Sequence, residues 1–161
     1  MTKRRIVIGI SDAGVSDNPS DVLATYSLGS CIGVCLFDPV MTIGGMLHFQ
    51  LPNSTMDAKR AGKEPLMFAD TGMNYLIREM TSKGAKRNRM QVKIAGGAAM
   101  DIGPKGFDIG KRNYLALKKI LWQNGMFLNA EDIGGNQARN LFMNVADGAV
   151  TIRSNGLAKN I

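Results

Sequence analysis

Cys31, Cys35 and His48 are the two thiols and the single imidazole of this 161-residue chain, and all three fall between Gly29 and Pro52. A cysteine attacks carbon as its thiolate, and an ordinary thiol is mostly protonated at neutral pH, so a reactive cysteine needs a base or a positive charge beside it. His48 is the base on offer. Gly29 and Ser30 immediately precede Cys31. Small residues there leave the thiol unscreened and let backbone N–H groups turn toward a bound carbonyl, as an oxyanion site requires. The chemistry this set could perform is attack on an acyl carbon, with the imidazole carrying the proton. A blander reading fits the same residues. Cysteine is among the most buried residue types, and a histidine on a strand is commonly a structural group. Cys35, inside the apolar run Ile32 to Phe37, suits that reading well. Residue types and spacing leave both readings of Cys31 and His48 open.

Other chemistries fit worse. A structural zinc site takes four nitrogen or sulfur ligands, and the chain has three such groups. A Cys31–Cys35 disulfide would have to bridge roughly 13 Å of extended strand, beyond disulfide reach. The phosphate-loop pattern fails because Arg112, not Ser or Thr, follows Gly110-Lys111, and Lys105 stands where the first glycine belongs.

The elements that must position these groups read as follows. Arg4–Ile10 predicts a first strand, and residues 11–20 a turn-rich connection. Val22–Ser27 predicts a second strand, and Ile32–Phe37 with Gly44–Gln50 a hairpin stopped by Pro52. That hairpin would carry His48 back toward Cys31. Pro65 opens a helical spacing of Leu66, Ala69, Met73, Leu76, Ile77 and Met80, with Gly84 as its cap. Met90–Ile94 predicts a strand, and residues 109–124 a second amphipathic helix ended by Gly125. Met126–Ala130, Leu141–Val145 and Ala149–Ile152 predict further strands. Strands interrupted by two amphipathic helices make an α+β domain in which the helices cover sheet faces.

The length fits a single domain spanning residues 1–161. Apolar residues at 45% and charged residues at 20% exclude a disordered chain. No apolar run approaches the ~20 residues of a membrane span, and the start MTKRRIVIGI is too short for a signal-peptide core, so a reduced, cytoplasmic protein is expected, without membrane insertion. The net charge of +7 draws acidic partners. Lys83, Lys86, Arg87 and Arg89 cluster without an interleaved aromatic, which predicts a surface loop rather than a nucleic-acid site.

LGSCIGVCLFDP from Leu28 and GGMLHFQLP from Gly44 resemble the signature of the CheD family of chemoreceptor glutamine deamidases. KIAGGAAM at Lys93, IGKRN at Ile109, EDIGGNQAR at Glu131 and DGAV at Asp147 follow in that family's order, so the resemblance runs from about Val22 to Ile152. It implies an α/β sandwich with mixed or antiparallel sheets, similar to cysteine-dependent deamidating toxins. It implies a hydrolase that turns glutamine side chains of chemoreceptor cytoplasmic domains into glutamate, with Cys31 as nucleophile, His48 as base and Thr25 as the third member. The attack would give a thioester, with the N–H groups around Ser30 and Cys31 holding the oxyanion, and no metal or cofactor would be needed. Binding of a CheC-type phosphatase and a place at receptor arrays near the inner membrane face are also implied. A non-catalytic adaptor for such a phosphatase or receptor is the alternative. Three departures stand out: Asp101 where the family commonly has a hydrophobic residue, Gln137-Ala138 before Arg139, and Tyr26-Ser27 leading into the cysteine loop.

Overall fold

Every residue from Ile32 to Asp38 and from Ile43 to Phe49 is buried. Strands buried along their whole length are covered on both faces, as in the middle of a layered sheet. The computed structural model describes residues 2–100 and 108–161. Its strands are β1 (Arg4–Val7), β2 (Asp12–Ser16), β3 (Asp21–Leu28), β4 (Ile32–Asp38), β5 (Ile43–Phe49), β6 (Gln91–Gly96), β7 (Leu128–Ile133), β8 (Arg139–Asn144), β9 (Val150–Ser154) and β10 (Leu157–Asn160). Its helices are α1 (Ala58–Lys63), α2 (Ala69–Ser82) and α3 (Ile109–Gln123). One sheet runs β1-β3-β8-β9-β10 and the other β2-β5-β4-β6-β7. Each sheet mixes one parallel pair, β1 with β3 and β6 with β7, with antiparallel neighbours.

The pleat of β4 and β5 divides two cores. Val34, Leu36, Leu47 and Phe49 face α2 and α3, among Met73, Leu76, Met80, Leu117 and Leu121. Cys35, Phe37 and Met46 face the other sheet, among Leu23, Leu28, Leu141, Met143 and Ile152. The α+β expectation holds, as two mixed sheets face to face with the long helices on a sheet face. Both long helices lie on the β4–β5 sheet, and the second sheet covers that sheet's other face. Gly33 makes the sheets' close approach possible: a Cβ there would come within 2.6 Å of Leu141 Cδ2 and 3.0 Å of Leu28 Cδ1.

The predicted hairpin forms, with Ile32 opposite Phe49 and Asp38 opposite Ile43. The turn-rich segment 11–20 contains β2, which pairs antiparallel with β5. Its five residues, DAGVS, include a glycine and no long alternation, so the sequence offered no period to read. α1 and β10 were likewise not anticipated; both are short and largely exposed. Asp101 lies outside the described residues.

Candidate active site

The site begins with a bulge. The β3–β8 register shifts between Thr25 and Leu28, and Ser27 adopts φ 59°, with its N–H held at 3.0 Å by Asn140 Oδ1. A bulge re-aims the strand that carries it. Here β3 keeps Thr25 on the inter-sheet face and then leads into the loop Gly29–Cys31, which feeds β4.

Thr25 and His48 meet across the two sheets. Thr25 Oγ1 lies 2.7 Å from His48 Nδ1 and donates to the Ile8 carbonyl at 2.7 Å. Both side chains are buried. A threonine hydroxyl has one proton, and the Ile8 carbonyl, which is acceptor only, takes it. His48 Nδ1 must therefore carry the ring proton and donate it to Oγ1, which leaves Nε2 as the unprotonated, basic nitrogen. Nε2 has no hydrogen-bond partner among the described residues. The ring is thus oriented by a relay and keeps one lone pair uncommitted. Burial lowers the His48 pKa to about 4, so the ring is neutral at neutral pH.

Cys31 precedes β4 and is half-buried, packed against the inter-sheet core. Gly33 pairs with His48. Cys31, in the bend before β4, packs against the inter-sheet core, the side of β5 on which His48 meets Thr25. Gly33 puts no side chain between them. Burial raises the thiol pKa, while the Cys31 N–H favours the thiolate and partly opposes that rise. Burial thus favours the uncharged form of both groups. Cys35 is a core residue: it is 2% exposed, and burial pushes its thiol up to about 12.

The loop's carbonyls are all engaged. Ala98 N–H donates to Gly29 O at 2.9 Å and Gly97 N–H to Cys31 O at 2.9 Å. Asn113 Nδ2 donates to Ser30 O at 2.9 Å and to Gln50 O at 2.9 Å. At Gly96 a side chain would run into the Cys31 carbonyl, so KIAGGAAM contributes its glycines as room for this loop. Two contributors were not foreseen from sequence. Ile8 acts through its carbonyl, which no residue type signals. Asn113 stood inside IGKRN, but nothing in the spacing tied it to the cysteine loop. Among the described residues no group of three or more His, Cys, Asp and Glu side chains could hold a metal.

Comparison with known proteins agrees with this architecture. The family model of CheD, described as CheD chemotactic sensory transduction, matches residues 50–154. That span starts after His48, so the match does not depend on Thr25, Cys31 or His48. The chain is 46% identical to a probable chemoreceptor glutamine deamidase CheD of Solibacter usitatus over 98% of this chain and 93% of that one. It is 44% identical to the chemoreceptor glutamine deamidase CheD of Thermotoga maritima, over 93% and 92%. Among solved structures, a Neisseria meningitidis protein of the DUF152 family shares the fold, with TM-score 0.51 and 14% identity over 83% of this chain and 63% of that one.

Proposed function

The chain belongs to the CheD family, and on that premise we propose that it is a chemoreceptor glutamine deamidase acting through Cys31, His48 and Thr25. The observation that carries this reading is the Thr25–His48 relay, which leaves Nε2 without a partner among the described residues, on the inter-sheet side against which Cys31 packs.

With burial favouring an uncharged thiol and imidazole, proton transfer accompanies attack. His48 Nε2 takes the Cys31 proton as the sulfur adds to the side-chain amide carbon of a substrate glutamine. The carbonyl π electrons move to oxygen. The N–H groups of Ser30 and Cys31 are the donors suited to that oxygen; one such donor is typically worth about 10²–10³ in rate. The imidazolium formed is stabilised through Nδ1–H by Thr25 Oγ1. It then protonates the departing nitrogen, the C–N bond breaks, and ammonia leaves a thioester. Water, activated by the same ring, releases glutamate and the thiol. A fold similar to that of cysteine-dependent deamidating toxins is part of this proposal. A half-buried sulfur suits a side chain presented on a protein surface, and the +7 charge suits an acidic one. Cytoplasmic domains of chemoreceptors, at their arrays near the inner membrane face, are the proposed substrates, and a CheC-type phosphatase the proposed regulatory partner.

The test is mass spectrometry of a purified chemoreceptor cytoplasmic fragment after incubation with the protein, with ammonia release measured in parallel. Conversion of glutamine to glutamate is expected, falling by at least about 10³-fold in Cys31→Ala. Unchanged conversion by Cys31→Ala overturns the nucleophile. Binding without conversion by the parent chain leaves the adaptor reading standing.

A further inference from the structure

In a trans peptide the carbonyl of one residue and the N–H of the next point in opposite directions. The described residues contain no cis peptide. The Ser30 carbonyl is drawn to Asn113 Nδ2, so the Cys31 N–H points away from α3. The Gly29 carbonyl is drawn to Ala98 N–H, so the Ser30 N–H points away from the end of β6. Neither N–H has a protein acceptor beyond the Cys31 residue itself among the described residues. Backbone N–H groups left without a carbonyl partner are the donors an oxyanion site uses.

Asn113 is the one side chain in this arrangement, and it is fully buried. Its orientation follows from its partners. Two carbonyls at 2.9 Å require the NH2 end there, which leaves Oδ1 buried without a partner. A buried orphan oxygen opposes stability. Its second bond goes to Gln50 O, two residues past His48, so one amide ties the cysteine loop to the strand that carries the base.

We propose that Asn113 is the positioning residue of the oxyanion site: by holding the Ser30 carbonyl it aims the Cys31 N–H at the oxygen that gains charge when Cys31 adds to an amide. This rests on the deamidase reading. Asn113 touches neither substrate nor the sulfur; it acts through the peptide between Ser30 and Cys31.

The test uses the full chain with the receptor fragment as substrate. In Asn113→Ala the two donors are lost. The expected result is a kcat lowered by about 10- to 100-fold with KM within about twofold. Alkylation of Cys31 by iodoacetamide, a displacement at carbon that builds no oxyanion, should stay within about threefold. A folded variant with parental kcat overturns the proposal. So does a kcat that falls in step with alkylation, which would mean that only the thiol–imidazole geometry moved.

A measurement on the parent chain covers the case in which Asn113→Ala does not fold. The Cys31 sulfur adds to the aldehyde carbon of a peptide carrying glutamate γ-semialdehyde, the C=O π electrons passing to oxygen and the thiol proton to His48 Nε2, as in the tetrahedral intermediate. With isotope-labelled cysteine the amide signals come from Cys31 and Cys35 alone. The Cys31 amide proton should move downfield on adduct formation, and an unmoved signal overturns the proposal. The deamidase reading fails separately, if the parent chain converts no glutamine or Cys31→Ala converts it equally well.

Discussion

Thr25 shows what a single hydroxyl can decide. Its proton goes to the Ile8 carbonyl, so its oxygen can only accept from His48 Nδ1. Thr25→Val removes that acceptor and frees the ring to carry its proton on Nε2, where it can no longer serve as base. The expected loss in kcat is roughly 10²-fold or more, with Thr25→Ser recovering most of it because the hydroxyl returns. Steady-state kinetics of the two variants checks this; equal losses in both would mean that Thr25 serves packing alone. Cys31 and His48 were visible in the sequence because thiols and imidazoles are scarce there. Thr25 was visible only through resemblance to a family, since threonine is common on strands. The Ile8 carbonyl and the Asn113 amide were not visible at all. A backbone acceptor has no letter, and an asparagine in a helix looks like any polar residue until its partners are known.

At the scale of elements, the hairpin that carries the site is pinned at its far end by Asp38. Its carboxylate is fully buried and accepts from Arg89 Nη2 at 2.7 Å, Lys86 N–H at 2.9 Å, Val40 N–H at 2.9 Å and Met41 N–H at 3.2 Å. Burial alone would raise its pKa; these bonds outweigh it and hold the carboxyl at about 2. Asp38→Asn places an NH2 against donors and strands the Arg89 guanidinium, so a loss of about 3 kcal/mol in unfolding free energy is expected. Urea denaturation at neutral pH measures it, and a change below the precision of that method would show that the turn holds without the ion pair. The predicted hairpin and the two long helices match the structure to within a few residues, because each carries a period or a clear stop such as Pro52 or Gly84. β2, α1 and β10 were missed for the converse reason. They are short and partly or wholly exposed, and β2 is held by β5, far along the chain.

For the whole molecule, the sequence specified which segments are apolar but not which sheet each joins. β1 runs parallel to β3, while β2, which follows β1 directly, crosses to the other sheet to pair with β5. That crossing brings β3 and β5 face to face, and it is the topology, not any local motif, that lets Thr25 reach His48. The basic cluster 83–89 is also altered by folding. Arg89 is committed to Asp38, and Arg87 donates to Asn124 at 3.2 Å, so this stretch is an exposed turn partly tied to its neighbours. Among the described residues no helix is long and apolar enough to cross a membrane. The buried ring couples the site to global stability. His48 titrates lower folded than unfolded, so its contribution is complete above the ordinary histidine pKa of about 6.5 and is lost as pH falls through that value toward 4.

The chain's one histidine allows the relay to be read directly. Ring-nitrogen NMR of the protein labelled at histidine, recorded across a pH titration, reports both the tautomer and the pKa. The relay predicts a proton on Nδ1, a bare Nε2 at neutral pH and a midpoint near 4. A ring protonated on Nε2, or one that titrates at the ordinary value of about 6.5, contradicts it.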